Sequence, residues 1–128
     1  MSDGRPRIMV VDDDTSMRVT LEAIIEDEGY DVTGADDGYQ AIRLAEGSHF
    51  DLIFLDMKMP GNGGEVLYHQ LKSANALLAH RVIFITGNIV NHGEREFVAA
   101  TGSPIIEKPF DLNTLQQQLH SLLNDESG

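Results

Sequence analysis

Leu52-Ile-Phe-Leu-Asp56 runs four apolar residues in a row and ends on a carboxylate. A strand with one wet face alternates polar and apolar residues. A run without alternation fits a strand buried on both faces, as in a parallel sheet covered by helices on each side. The same pattern recurs. Ile8-Met-Val-Val11 is followed by Asp12, Asp13 and Asp14, Val82-Ile-Phe-Ile85 by Thr86, and the stub Ile105-Ile106 by Glu107 and then Lys108. A weaker version, marked by Val32 and Ala35, lies near 31–35.

Apolar residues at helical spacing fill the intervals. Met17, Leu21, Ile24 and Ile25 make one stripe, with Asp14 or Thr15 as N-cap and Gly29 as stop. Ala41, Ile42 and Ala45 make a second, entered at Asp37-Gly38, and Val66, Leu67 and Leu71 a third. Phe97, Val98 and Ala100 form a weak fourth ending at Gly102. Leu112, Leu115, Leu119 and Leu122 form the clearest, entered at Asp111. Strict alternation of strand and helix predicts an α/β fold, a parallel sheet with right-handed crossovers and helices on both faces.

The 128 residues suit one domain, with an ordered core over about 6–124. Acidic residues number 21 against 9 basic, a formal charge of −12, which repels phosphate backbones and anionic membranes, so neither nucleic acid nor a membrane is an expected partner. No apolar run approaches the roughly 18–20 residues of a membrane span, and the first residues do not read as a signal peptide. With no cysteine, disulfides, thiolate metal sites and thiol chemistry are excluded, and a cytoplasmic location fits. The charge is uneven: residues 1–64 hold 14 acids and 5 bases, residues 65–128 hold 7 and 4.

In an open parallel sheet, ligands bind beyond the carboxyl ends of the strands. The residues that end the strands here are Asp12, Asp13, Asp14, Asp56, Thr86 and Lys108. Two carboxylates 4 Å apart repel by about 4 kcal/mol at an effective dielectric of 20. Such a cluster must protonate, pair or bind a cation. All-oxygen ligands with open positions suit Mg²⁺, which shares its shell with phosphoryl oxygens. A lysine and a threonine hydroxyl could hold the remaining oxygens, and a carboxylate can itself be the nucleophile. Each residue also has a plain structural use: Asp13 or Asp14 as a helix cap, Asp56 as a turn residue, Thr86 as a loop hydroxyl, Lys108 as a solvated charge. Their convergence at four strand ends favours one phosphoryl site.

The motifs Val-Val-Asp-Asp at 10–13, Leu-Asp-Met-Lys-Met-Pro-Gly at 55–61 followed by Gly64, Ile-Thr-Gly at 85–87 and Glu-Lys-Pro-Phe at 107–110 match in order and spacing. In these the chain resembles the receiver domains of bacterial two-component response regulators over essentially its whole length. The resemblance implies a flavodoxin-like doubly wound sheet of five parallel strands, order 2-1-3-4-5, with five helices. It implies a phosphoacceptor at Asp56, placed by Met59-Pro60. It implies Mg²⁺ ligation by Asp13 and Asp56, by Asp12 through water, and by the backbone carbonyl of Lys58. Thr86 and Lys108 match the phosphate-contacting hydroxyl and amine, and the Lys108–Pro109 bond is usually cis in such domains. The donor would be a histidine kinase or a histidine phosphotransfer protein. A downstream protein would read the face formed by helix 4, strand 5 and helix 5.

Some positions depart from that pattern. Many receivers carry Tyr or Phe three residues before the lysine, and here Ile105 stands there, so an aromatic switch is not expected. Lys58 and Asn88 each lie two residues past a site residue and would border the path of an attacking water. Lys58 reads first as a solvated lysine. Ala100-Thr-Gly-Ser-Pro104 resembles receivers at the C-terminus of hybrid sensor histidine kinases.

Two other readings compete. Asp12-Asp13-Asp14-Thr15-Ser16 after an apolar strand also resembles the opening of haloacid-dehalogenase-type phosphatases, with Asp12 as nucleophile and Asp14 as acid/base. That reading lacks the acidic pair expected after the lysine and leaves Asp56 unexplained. The other is a receiver-like module that only binds protein, against which the full residue set argues. Among remaining features, Gly61-Asn62-Gly63-Gly64 lacks the Lys-Ser/Thr of a P-loop and reads as a mobile loop. The five histidines show no metal-like pairing, and Asp36-Asp37-Gly38 reads as a turn and helix cap.

Overall fold

A computed structural model describes residues 5–57, 63–74, 76–86, 92–107 and 111–125. Five strands, β1 (Arg7–Val11), β2 (Asp31–Ala35), β3 (Leu52–Asp56), β4 (Val82–Thr86) and β5 (Ile105–Glu107), form one sheet in the order β2-β1-β3-β4-β5. All pairs are parallel. The helices between and after them are α1 (Thr15–Asp27), α2 (Gly38–Gly47), α3 (Gly63–Ala74), α4 (His92–Thr101) and α5 (Leu112–Asp125). This is the doubly wound, flavodoxin-like arrangement expected from the sequence.

Successive strand side chains point to opposite faces, and both faces are apolar. On one face Met9, Val11, Ile53, Leu55 and Phe84 pack with Ala41 and Ala45 of α2, Leu67, Tyr68 and Leu71 of α3 and Val98 of α4. On the other, Ile8, Val10, Leu52, Phe54, Ile83, Ile85 and Ile106 pack with Leu21 and Ile25 of α1 and Leu115 and Leu119 of α5. Full burial of such a side chain contributes about 1.5–3 kcal/mol, so the unalternating runs dictate two cores rather than one.

The helix starts follow their caps. Asp14 is extended, and its Oδ1 accepts the Met17 N–H at 3.2 Å. Asp37 accepts the Gln40 N–H at 2.8 Å, and the Gln40 side chain in turn accepts the Asp36 N–H at 2.9 Å. Asp111 accepts the Thr114 N–H at 2.7 Å, and this bond holds its carboxyl below the usual carboxylate range. Gly29 and Gly102, at φ 96° and 73°, turn the chain out of α1 and α4 in a conformation that side chains with a Cβ rarely adopt.

Four details depart from the sequence reading. Gly63 and Gly64, expected in a mobile loop, form the first residues of α3, while Gly61 and Asn62 lie outside the described residues. Val66 and Leu112 are about half exposed, so α3 buries Leu67, Tyr68 and Leu71, and α5 buries Leu115 and Leu119 with Leu122 partly covered. Ala100 is exposed on α4, where Val98 is buried. A 3₁₀ segment, Ala76–Arg81, leads into β4; its length and mixed composition gave no periodic signal.

The amino-terminal edge of the sheet is closed by paired charges. Asp51 accepts the Arg7 N–H at 2.8 Å and lies 3.6 Å from Arg81 and 3.1 Å from His49. Arg7 pairs with Asp31 at 3.7 Å, and its guanidinium sits over the Phe50 ring, 5.1 Å from the centroid.

Candidate functional site

The carboxyl edge is built by register. Val11 pairs with Leu55, so Asp12, the next residue, comes level with Asp56 at the end of β3. Asp56 pairs with Ile85, which puts Thr86, the last residue of β4, one step further along the same edge. Asp56 and Thr86 thus close their strands rather than follow them. Among the described residues, the buried polar side chains are Asp12, Asp56 and Thr86, at 1%, 6% and 1% exposure. Burying a polar group costs free energy unless it gains a partner. All three sit on one edge of the sheet.

Asp13 completes the group. One carboxylate oxygen from each of Asp12, Asp13 and Asp56 lies within 4.8 Å of the others, Asp13 being exposed and the other two buried. Three hard oxygen donors at this spacing fit a divalent cation such as Mg²⁺ and leave room for water and phosphoryl oxygens. Asp14 stands apart, engaged as the cap of α1. The phosphatase-type reading, which needs Asp14 as acid/base, is not favoured by this placement.

The β1–α1 loop is held tightly. The Asp12 N–H donates to the Ala35 carbonyl at 3.1 Å, and Asp12 Oδ1 accepts the Asp14 N–H at 2.9 Å. Arg18 Nη1 donates to the Asp12 carbonyl at 2.9 Å. The sequence reading passed over Arg18 because the stripe it follows, Met17 and Leu21, concerns the core face. Gly34 inside β2 was the available signal, since an isolated glycine in a strand marks a close approach.

Ile105 sits on β5 opposite Phe84, partly buried, and packs with Phe97 of α4 against the core. Phe97 in turn meets Tyr68 and Phe84 edge-on, with centroids 5.5 and 5.6 Å apart. An aliphatic residue therefore fills the position where many receivers place a ring. Lys58, Asn88, Lys108 and Pro109, as well as Gly61 and Asn62, lie outside the described residues. No helix among the described residues is long and apolar enough to cross a membrane.

Fold and site together define a doubly wound α/β protein with an acidic, oxygen-rich edge at the carboxyl ends of its strands. The family model "Response regulator receiver domain" matches residues 8–120, and the chain belongs to that family. PetR of Rhodobacter capsulatus is 30% identical over 123 residues, which cover 96% of this chain and 51% of PetR. The chain spans about half the length of the curated relatives it matches. A CheY-like receiver domain protein from Methanospirillum hungatei superposes with a TM-score of 0.88 at 26% identity, covering 97% of this chain and 98% of that one. The receiver domain of a sensor histidine kinase from Pseudomonas aeruginosa, with a magnesium ion coordinated in its active site cleft, gives a TM-score of 0.82 at 28% identity, covering 94% and 99%. The chain is thus a receiver domain, a signalling phosphoacceptor module; the phosphatase-type reading and that of an inert binding module are not favoured.

Proposed function

We propose that Asp56 is the phosphoacceptor of a two-component phosphorelay acting in the cytoplasm, with 1–128 as its single receiver domain. The observation that supports this reading is the meeting of Asp12, Asp13 and Asp56 within 4.8 Å at the ends of β1 and β3. An Asp56 carboxylate oxygen attacks the phosphorus of a phosphohistidine on a histidine kinase or phosphotransfer protein. The O–P bond forms as the N–P bond breaks, and the electron pair returns to the imidazole nitrogen. Asp12, Asp13, Asp56 and the carbonyl of Lys58 would hold Mg²⁺, which supplies positive charge to the phosphoryl oxygens. Thr86 and Lys108 contact the phosphoryl oxygens once they are in place. Water later attacks the phosphorus and releases phosphate, which restores the carboxylate. Asn88 and Lys58 border the path of that water.

The phosphorylated state is read by a downstream protein on the face formed by α4, β5 and α5. With Ile105 in place of a ring, that face shifts by a means other than a turning aromatic at position 105. The test is incubation with acetyl phosphate and Mg²⁺, borohydride trapping and peptide mass spectrometry. Label is expected on Asp56, with none above background in Asp56→Asn. Label on Asp12 would overturn the assignment in favour of phosphatase-type chemistry. Absence of both label and beryllofluoride binding would favour a module that only binds protein.

A further inference from the structure

Arg18 lies on α1, one helical turn before Glu22, and its side chain turns back over the β1–α1 loop. Its Nη1 donates to the Asp12 carbonyl at 2.9 Å, while its Nε faces Glu22 Oε2 at 3.5 Å. The two side chains are 17% and 26% exposed, so the ion pair is largely covered by protein. The seat for this pair is Gly34 of β2. A Cβ built there would meet Arg18 Cδ at 3.1 Å and overlap the Glu22 carboxylate. Gly34 is also paired with Val10, two residues before Asp12. Helix, strand and loop therefore converge on one peptide unit.

We infer that Arg18 is a positioning residue for Mg²⁺ binding: held by Glu22 over Gly34, it locks the backbone of Asp12 so that the acidic loop keeps its carboxylates in ligating pose. This rests on the reading of the carboxyl edge as a Mg²⁺-dependent phosphoacceptor site. The physical reason lies in the carboxylates themselves. Three of them crowded together repel, and the loop that bears two would relax outward unless its backbone were held. The Asp12 N–H is already tied to β2 through Ala35. The bond from Arg18 ties the carbonyl of the same residue to α1, which leaves the loop little freedom to rotate. A guanidinium suits the task because its planar fork fixes directions: Nη1 donates to the carbonyl while Nε faces the Glu22 carboxylate as an ion pair. The Arg18–Glu22 pair adds little stability of its own. Its effect falls on the loop.

The test is Mg²⁺ binding to the full chain, measured by calorimetry and by amide NMR titration, with thermal unfolding in Mg²⁺-free buffer alongside. Arg18→Met keeps the stem and removes the fork. Its Mg²⁺ affinity is expected to fall about tenfold, the usual size of an effect exerted through a ligand's neighbours, while its unfolding midpoint stays close to the wild type. Arg18→Lys should recover part of the loss. Gly34→Ala, which displaces Glu22 and leaves Arg18 present, should weaken binding in the same direction by less. Arg18→Met binding Mg²⁺ as tightly as the wild type would overturn the inference. Should Arg18→Met not fold, Glu22→Gln decides: weakened binding supports the role and unchanged binding overturns it. A wild-type chain that takes no Mg²⁺ defeats the reading of the edge itself. Wild-type binding with indifferent variants defeats only the role of Arg18.

Discussion

The two edges of the sheet use the same residue type for opposite ends. At the amino-terminal edge Asp51 meets the Arg7 N–H, Arg81 and His49 within 3.6 Å, and Asp31 meets Arg7. At the carboxyl edge Asp12, Asp13 and Asp56 meet one another. The first arrangement is balanced by the protein's own cations and fixes the start of the strands. The second brings three carboxylates together, two of them buried. Cations set between the acids of the first edge offset their charge. Acids set close to one another add repulsion that a bound cation would relieve. The difference contrasts an edge that anchors the strands with an edge whose acids lie close enough to share an ion.

That contrast can be broken by substitution on either side. The largest effect on stability is expected from Asp51→Ala. It removes the acceptor of the Arg7 N–H and the partner of Arg81, and should destabilise the chain by about 1–3 kcal/mol in urea unfolding, with Mg²⁺ affinity unchanged. Asp13→Asn on the opposite edge should have the reverse sign. In Mg²⁺-free buffer it relieves repulsion and raises stability by up to about 1 kcal/mol. It should also shrink the stabilisation by Mg²⁺, which for the wild type at ten times Kd is about 1.4 kcal/mol. Destabilisation by Asp13→Asn without metal would show that the carboxyl edge is as balanced as the other.

A smaller effect belongs to an aspartate at neither edge cluster. The Thr114 N–H lowers the Asp111 carboxyl below its ordinary value. A depressed folded-state value contributes stability that is present above the unfolded-state value and lost as pH falls through the folded one. Asp111→Asn should therefore flatten the acid limb of the stability curve slightly and leave the neutral region unaltered, as read by urea unfolding across a pH series.

Much of this was legible in the sequence because burial on both faces leaves an unmistakable trace. Leu52-Ile-Phe-Leu55 and Val82-Ile-Phe-Ile85 could be little else than central strands, and their last polar residues fell where a ligand would bind. Helix faces were read less well. Val66 and Leu112 fit an apolar stripe yet remain half exposed, because a stripe specifies periodicity and not which edge of it the sheet covers. Arg18 is harder to find for a different reason. Gly34 marks a close approach, but the side chains that fill it come from α1, which reaches the glycine only through the pairing of β1 with β2 and the packing of α1 beside them. Local pattern marks the gap and not what occupies it.

The central position of β1 and β3 has a bearing on damage. Asp12 and Asp56 adjoin the innermost strand pair, whereas β2 and β5 form the margins, and β5 spans only three residues. Fraying at the outer margin beside β5 would first open its pairing with β4, away from the trio of aspartates. Loosening at that rim, by proteolysis or partial melting, would reach the residues that follow β5 before it parted the carboxylates at the middle of the sheet.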